Sequence, residues 1–493
     1  MKIKNIIKDI FLNPKRFFLE NVGVKQTVFK NTFWLALAEG ITYLLKLILI
    51  IYIARILGAT EYGKFTFALA FTALFVIFSD FGLSKITTRE FSREPKKEKE
   101  FSSLLSLKIV LALGTLFLIL IGSFFITPNP FIQKLIWVLG IFVIIENFSL
   151  IIFAFLQARQ KMEYQAWAKI LEAIIVTGLG FFVLFYCPSV LNLSFSYLFA
   201  ILIALIFILI LFHFKIFPLK LSFQKSIWKN YLKLSWPLAL SGVFGAIYTY
   251  TDSTMMGYFG QITETGWYNA AQKIIGPILF FISIIGISFF PVLNKSLVES
   301  KERLQNIWNY FLGSMVFLAV PILVGGITLA SKIINFIYGP AYSPSILAFQ
   351  ILILMAVITM LSYPFTQILV VINQQKKLFW ATLAGALINL VLNLILIPRY
   401  SLYGAAFTTI ATFLLIFFLL FEFTLRFSPI SPFNLKFLSN LTSAIIASIP
   451  MYFVIIQSLI YNLNIILLIL IGGSIYSICF FVCCKIILKK FYG

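Results

Sequence analysis

Apolar residues fall in long, nearly unbroken blocks, each closed by a short break of charge, proline or glycine. The blocks recur fourteen times, the first at residues 31–57 and the last at 463–487. A helix needs about 20 such residues to cross a bilayer, and most blocks meet that length. The strict alternation of a barrel strand is absent, so the blocks read as helices. The pattern predicts an all-α polytopic membrane protein with about 14 transmembrane helices. The narrowest separations lie at residues 127–130 and 398–400. Pro237, Pro277, Pro321 and Pro364 fall inside blocks and predict kinks that neighbouring helices tolerate. Ahead of the first block, Ile3, Ile6, Ile7, Ile10 and Phe11 recur at helical spacing among lysines. Residues 1–30 therefore read as a cytoplasmic amphipathic segment lying on the membrane surface, not as a signal peptide.

Charges inside these blocks carry the candidate chemistry. A charge at mid-membrane costs at least ~2.5–3.5 kcal/mol unless it faces protein or a water-filled cavity. The first block holds Glu39, Lys46 and Arg55. Glu39 and Lys46 share a helix face, either as an internal pair or as opposite charges lining a cavity; Arg55 lies on another face and either lines the cavity or reaches the outer interface. Asp252 sits mid-block in the seventh span and points to a cation or proton site, or to a partner for Lys273 in the eighth. Glu146 is a second candidate for ion coupling, and Glu172 is three residues from Lys169, as in a helix-end pair. Asp80, Arg89 and Arg159 fall at the expected cytoplasmic mouth and form a candidate gate. Asn389 and Asn393 share one face and predict hydrogen bonds between helices.

The chain also repeats itself. Trp34-Leu-Ala-Leu-Ala-Glu-Gly40 resembles Trp236-Pro-Leu-Ala-Leu-Ser-Gly242, and Gly58 matches Gly260. A second echo aligns Gln160–Ala173 with Asn373–Ala386. Six spans separate the copies, so both run in one direction. This predicts two parallel six-helix lobes, helices 1–6 and 7–12, around a central cavity, with two further C-terminal helices. The expected divisions are the N-lobe at 31–214, a cytoplasmic linker at 215–232, the C-lobe at 233–425, and residues 426–493 for the last helices and the C-terminus.

Composition narrows the classes. The chain has 493 residues, 61% of them hydrophobic, and a formal net charge of +22. With the N-terminus inside, 31 of the 39 Lys and Arg residues fall on cytoplasmic segments. That bias places both termini in the cytoplasm of a multi-pass cell-membrane protein. It also assigns the basic charge to anionic lipid rather than nucleic acid. Cys187, Cys479, Cys483 and Cys484 have no metal spacing, and the single histidine, His213, supports no catalysis. The stretch Gly58-Ala-Thr-Glu-Tyr-Gly63-Lys64-Phe65 fails as a nucleotide loop because Phe65 stands where a Ser or Thr would hold magnesium. No nucleotide, metal or other cofactor is expected, and no enzymatic activity.

Several short motifs together resemble the multidrug/oligosaccharidyl-lipid/polysaccharide exporter superfamily, and within it the polysaccharide-type flippases. They are Ala54-Arg55-Ile-Leu-Gly58 with Tyr62-Gly63, Asp80-Phe-Gly82, Gln157-Ala-Arg159-Gln160, Asp252 with Gly257-Tyr-Phe-Gly260, and Tyr268-Asn-Ala-Ala-Gln-Lys273. The resemblance implies two lobes rocking between inward-open and outward-open states. It implies a polyprenyl-pyrophosphate-linked glycan as substrate, met by positive residues, for which Lys46, Arg55, Arg89, Arg159 and Lys273 are placed. Partners in glycan assembly, a polymerase or glycosyltransferases, are implied with it. Two alternatives share the fourteen-span plan, a cation-coupled multidrug antiporter and a flippase for the peptidoglycan precursor. A membrane scaffold would have little reason to bear the cost of its internal charges.

Overall fold

The computed structural model describes residues 18–460 and 463–492. Most of the expected N-terminal amphipathic segment, residues 1–17, lies outside the described residues. Thirteen α-helices follow one another, with no strand among the described residues. The first six are α1 (Val24–Asp80), α2 (Leu83–Arg93), α3 (Phe101–Ile126), α4 (Pro130–Ala158), α5 (Met162–Tyr186) and α6 (Val190–Lys215). Then come α7 (Lys225–Tyr258), α8 (Ile262–Glu299), α9 (Lys301–Tyr338) and α10 (Ser345–Val371). The last are α11 (Gln375–Phe427), α12 (Leu435–Ile460) and α13 (Ile465–Tyr492). A 3-10 turn, Pro95–Glu100, joins α2 to α3.

Among the described residues, 11 helices are long and apolar enough to cross a membrane. The seventh expected span coincides with α7, which is not among them; three lysines, Asp252 and a run of Ser, Thr and Tyr dilute it. Two of the eleven are broken from within. In α1, Gly58 takes φ 79 and ψ 172, a conformation essentially reserved for glycine. In α11, Ser401 takes φ 53 and ψ −130 just after Pro398. There Gly404 comes so close to Leu396 that a Cβ would collide with the Leu396 carbonyl oxygen. The break at residues 127–130 is a true helix boundary. Thr127 is extended, and Asn129 Oδ1 accepts from the backbone N–H of Phe131 at 2.9 Å with Pro130 in the first turn. The four proline positions that predicted kinks lie within continuous helices.

The chain divides into two compact units, Met1–Ala246 and Ile247–Gly493. In the first, Phe91, Phe101, Phe155 and Phe212 pack ring against ring where α2, α3, α4 and α6 meet, edge to face between Phe91 and Phe101 and between Phe155 and Phe212. Interdigitated rings supply the packing that holds helices together where lipid competes for apolar surface. Residues of the expected linker are tied down on this unit. The Ser222 N–H donates to Ser106 Oγ at 3.0 Å, and Trp228 Nε1 donates to the Ser103 carbonyl at 2.9 Å. α1 and α5 run side by side in the same direction, with Trp34 against Trp167 near the start and Tyr52 against Phe181 further on. In the second unit, Trp308, Phe365, Phe417 and Phe421 build the core of α9, α10 and α11. α12 and α13 pack on α9 through Ala444, Met451, Leu468 and Tyr476.

The sequence echo is written into the backbone. Gly58 and Gly260 have φ of 79° and 77°, and Gln160 and Asn373 have φ of 56° and 60°. The turns at Gln160 and Asn373 also share their hydrogen bonds. Gln160 N reaches Gln157 O at 3.0 Å and Lys161 N reaches Leu156 O at 2.9 Å; Asn373 N reaches Val370 O at 3.1 Å and Gln374 N reaches Leu369 O at 2.7 Å. Both are left-handed helix endings of the Schellman type.

Candidate functional site

Glu39 and Lys46 of α1 face α5 rather than each other. Lys46 Nζ donates to Glu172 Oε1 at 2.8 Å, with Glu146 Oε1 of α4 at 3.9 Å. Glu39, seven residues earlier, pairs with Lys169, which lies one turn before Glu172. The expected Glu39–Lys46 pair is therefore replaced by two rungs between parallel helices. Glu172 is correspondingly not a helix-end partner of Lys169. The cluster is open on one side, because Lys46 and Lys169 are about a quarter exposed and Glu39 and Glu146 about half. Arg55 is exposed on α1 three residues before the break at Gly58.

Two other lysines of this unit are closed. Lys108 of α3 is fully buried and donates to Asp80 at 2.6 Å and to Asn147 at 2.7 Å. Ser84 and Ser79 complete the network by donating to Asp80 and Asn147. Asp80 is thus an internal ion-pair partner. Lys30 is equally buried, with Glu163 at 3.0 Å and Asn21 at 2.7 Å. Sequence reasoning counted Lys30 among the basic anchors of the N-terminus, and nothing in its neighbourhood marks it as buried. Lys108 did carry a signal, as a lone charge in an apolar block.

Arg89 and Arg159 sit in surface pairs beside the Pro95–Glu100 turn. Arg89 contacts Glu90, and Arg159 contacts Glu98. Lys97 bridges Glu90 at 3.0 Å and Glu94 at 3.2 Å. The hydrogen bond from Lys97 holds the Glu90 carboxyl below its ordinary range, aided by one from Arg89 against the effect of burial.

In the second unit, Asp252 is 3% exposed and surrounded by neutral donors. Its Oδ2 accepts from the Tyr268 hydroxyl at 2.6 Å and from Thr409 at 2.7 Å. Its Oδ1 accepts from Asn393 at 2.6 Å and Asn389 at 3.4 Å. Lys273 does not reach it. That lysine is exposed on α8, with no ion-pair partner among the described residues. The carbonyl oxygen of Asn393, buried beside the carboxylate, accepts no hydrogen bond from the described residues. A carboxylate with an orphaned carbonyl next to it can accept a small cation or a proton. The pair Asn389 and Asn393, one turn apart on a face of α11, was legible as a hydrogen-bonding stripe; its target was not. Among the described residues, no group of three or more His, Cys, Asp or Glu could hold a metal ion.

By the repeat, α7 and the first arm of α11 correspond to α1 and α5. Each unit thus puts its polar cluster between equivalent helices, charged in the first and mostly neutral in the second. A family model described as "Polysaccharide biosynthesis protein" matches residues 28–297. The chain belongs to the polysaccharide biosynthesis protein family. The family match takes in the Lys46 cluster, Asp252, Tyr268 and Lys273, and ends before Asn389, Asn393 and Thr409. Among curated relatives, the Haloferax volcanii "Probable low-salt glycan biosynthesis flippase Agl15" is 22% identical over 375 residues, 74% of this chain and 76% of its own length. An Escherichia coli protein provisionally named O-antigen transporter is 22% identical over 398 residues, 79% of this chain and 94% of its own. The fold is shared with a solved lipid II flippase MurJ in an inward closed conformation, at TM-score 0.74 and 18% identity, covering 93% of this chain and 99% of that one. It is shared also with an inward-facing multidrug resistance MATE transporter of the MOP superfamily, at TM-score 0.64 and 15% identity, over 78% of this chain and 94% of that one.

Proposed function

We propose that this family member is a flippase. It moves polyprenyl-pyrophosphate-linked oligosaccharide from the cytoplasmic to the outer leaflet by alternating access, for surface polysaccharide or glycan assembly. It is a transporter rather than an enzyme, crosses the cell membrane fourteen times with both termini in the cytoplasm, and works beside glycosyltransferases or a glycan polymerase. Family membership supports the pathway, and the names of the relatives support the step. The observation that carries the reading to this chain is Lys46. It is an ammonium inside a membrane-spanning helix, paired on one side and open on the other, where a pyrophosphate can meet it. Lys273 supplies a second cation, and Arg55, Arg89 and Arg159 lie along the route of a headgroup.

The driving force needs no nucleotide. Moving a negative group outward across a cytoplasm-negative membrane is favourable by ~2.3 kcal/mol per charge per 100 mV of full field. The Asp252 network supports coupling to a monovalent cation or a proton as an additional drive, with Glu146 a weaker candidate because it is half exposed. The same network suits a cation-coupled drug antiporter. Proteoliposomes settle the choice: the flippase reading expects translocation of a fluorescent polyprenyl-pyrophosphate oligosaccharide, lost in Lys46→Ala and Lys273→Ala. Sodium- or proton-driven efflux of organic cations, with no lipid translocation, would refute it.

A further inference from the structure

Lys30, Lys46 and Lys108 of the first unit each sit in an ion pair, and they differ in what is left open. Lys30 and Lys108 are fully enclosed, and each meets two oxygens within 3.0 Å. Lys46 has a single hydrogen bond, 2.8 Å to Glu172, while Glu146 at 3.9 Å is beyond hydrogen-bond length. An ammonium carries three donors. Two of those on Lys46 therefore have no acceptor among the described residues, and its side chain is 26% exposed. The first two arrangements are locks; the third is a half-occupied binding group.

Glu172 also has somewhere to go. Lys169 is one turn before it on α5 and pairs with Glu39, which is 51% exposed. If Glu172 leaves Lys46, Lys169 can take it, since residues three apart on a helix are neighbours. Glu39 then returns to the open side, and no buried charge is stranded.

Building on the flippase reading, we infer that Glu172 is an internal stand-in for the substrate's phosphate: it occupies Lys46 in the empty protein and yields it when a pyrophosphate arrives. The exchange makes and breaks only hydrogen bonds. A pyrophosphate carries at least two negative charges against the carboxylate's one, and its several oxygens can use the two open donors as well, so it displaces Glu172. A neutral lipid alcohol cannot. When the headgroup leaves, Glu172 retakes Lys46 and opposes rebinding. Glu172 is thus a positioning residue that lowers affinity in exchange for release, and it makes headgroup charge a condition of entry.

This role predicts a change opposite in sign to that of a structural ion pair. Glu172→Gln keeps the shape and a hydrogen bond to Lys46 but removes the competing charge. Binding of geranylgeranyl pyrophosphate to the full chain in detergent, with geranylgeraniol as the neutral control, is expected to tighten at least about tenfold in this variant. Its maximal flipping rate in proteoliposomes falls. Glu172→Asp restores wild-type affinity and rate. In the double variant Lys46→Ala/Glu172→Gln the gain disappears, and Glu163→Gln, opposite the enclosed Lys30, gives none. Unchanged or weaker binding in Glu172→Gln, against a wild type that binds and flips, would overturn the stand-in. A wild type that neither binds the pyrophosphate nor flips the glycolipid would instead overturn the flippase reading beneath it.

Discussion

Replacing Lys108 separates structural from functional charge in the first unit. Its ammonium is fully buried and makes two hydrogen bonds, at 2.6 Å to Asp80 and 2.7 Å to Asn147. Lys108→Met keeps a long apolar side chain but strands the Asp80 carboxylate, which is 13% exposed and, among the described residues, keeps only the Ser84 hydroxyl as a side-chain donor. Breaking a buried pair from one side costs roughly 3–5 kcal/mol, whereas removing both charges together is often close to neutral. Lys108→Met alone is therefore expected to lose about 3 kcal/mol of stability, and Lys108→Met/Asp80→Asn to regain most of it. The assay is reversible unfolding of the reconstituted protein by SDS titration, followed by tryptophan fluorescence, for both single variants and the double. Flipping by the folded double variant should stay near wild type, because this pair is closed to any headgroup. A single variant within about 0.5 kcal/mol of wild type, with additive effects in the double, would refute the reasoning.

Three further outcomes follow from the same geometry. Asp252→Asn puts an amide where Tyr268, Thr409 and Asn393 all donate; it should abolish any dependence of flipping on a sodium or proton gradient while leaving pyrophosphate affinity within about twofold, since Asp252 is buried among neutral donors and uncoupled sites act additively. Gly404→Ala forces a Cβ into the Leu396 carbonyl oxygen and should cost about 1–3 kcal/mol in SDS unfolding; a wild-type curve would contradict the tight reversal at Ser401. Glu90 has its carboxyl held below the ordinary value of 4.5, so its stabilisation is present above that pH and lost as pH falls from there through the lowered value. The protection of the amides of residues 96–100, relative to their intrinsic exchange rates, should therefore fall below about pH 4.5, and Glu90→Gln should remove that dependence.

How far the sequence reached follows from what each signal depends on. The third expected span, 101–126, coincides with α3 because the charges of Lys96–Glu100 and the pair Pro128 and Pro130 bound it locally. The turns at Gln160 and Asn373 were aligned from side chains alone, and their matching backbones show that the echo was structural. Lys46, Glu39 and Asp252 stood out because a charge in an apolar block is costly wherever it points. Their partners did not, because pairing is tertiary. Lys46 meets Glu172 across 126 positions, and Glu172 had a nearer cation in Lys169. The donors to Asp252 are neutral, so the search for an opposite charge led to Lys273 instead. Lys30 was invisible for a different reason, since a buried lysine within a basic flank has the same local sequence as an exposed anchor.

Transport of a pyrophosphate-linked glycan across the membrane, through cations set in the helices, is the activity proposed for this chain. Its most direct test is the initial rate at which a fluorescent polyprenyl-pyrophosphate oligosaccharide becomes inaccessible to an external quencher in proteoliposomes, as a function of imposed membrane potential. Wild type should flip at a rate that rises with a potential favouring movement of the anion, and Lys46→Ala should flatten that dependence. Equal rates in protein-free and wild-type vesicles at every potential, with the protein shown to be folded, would contradict the account.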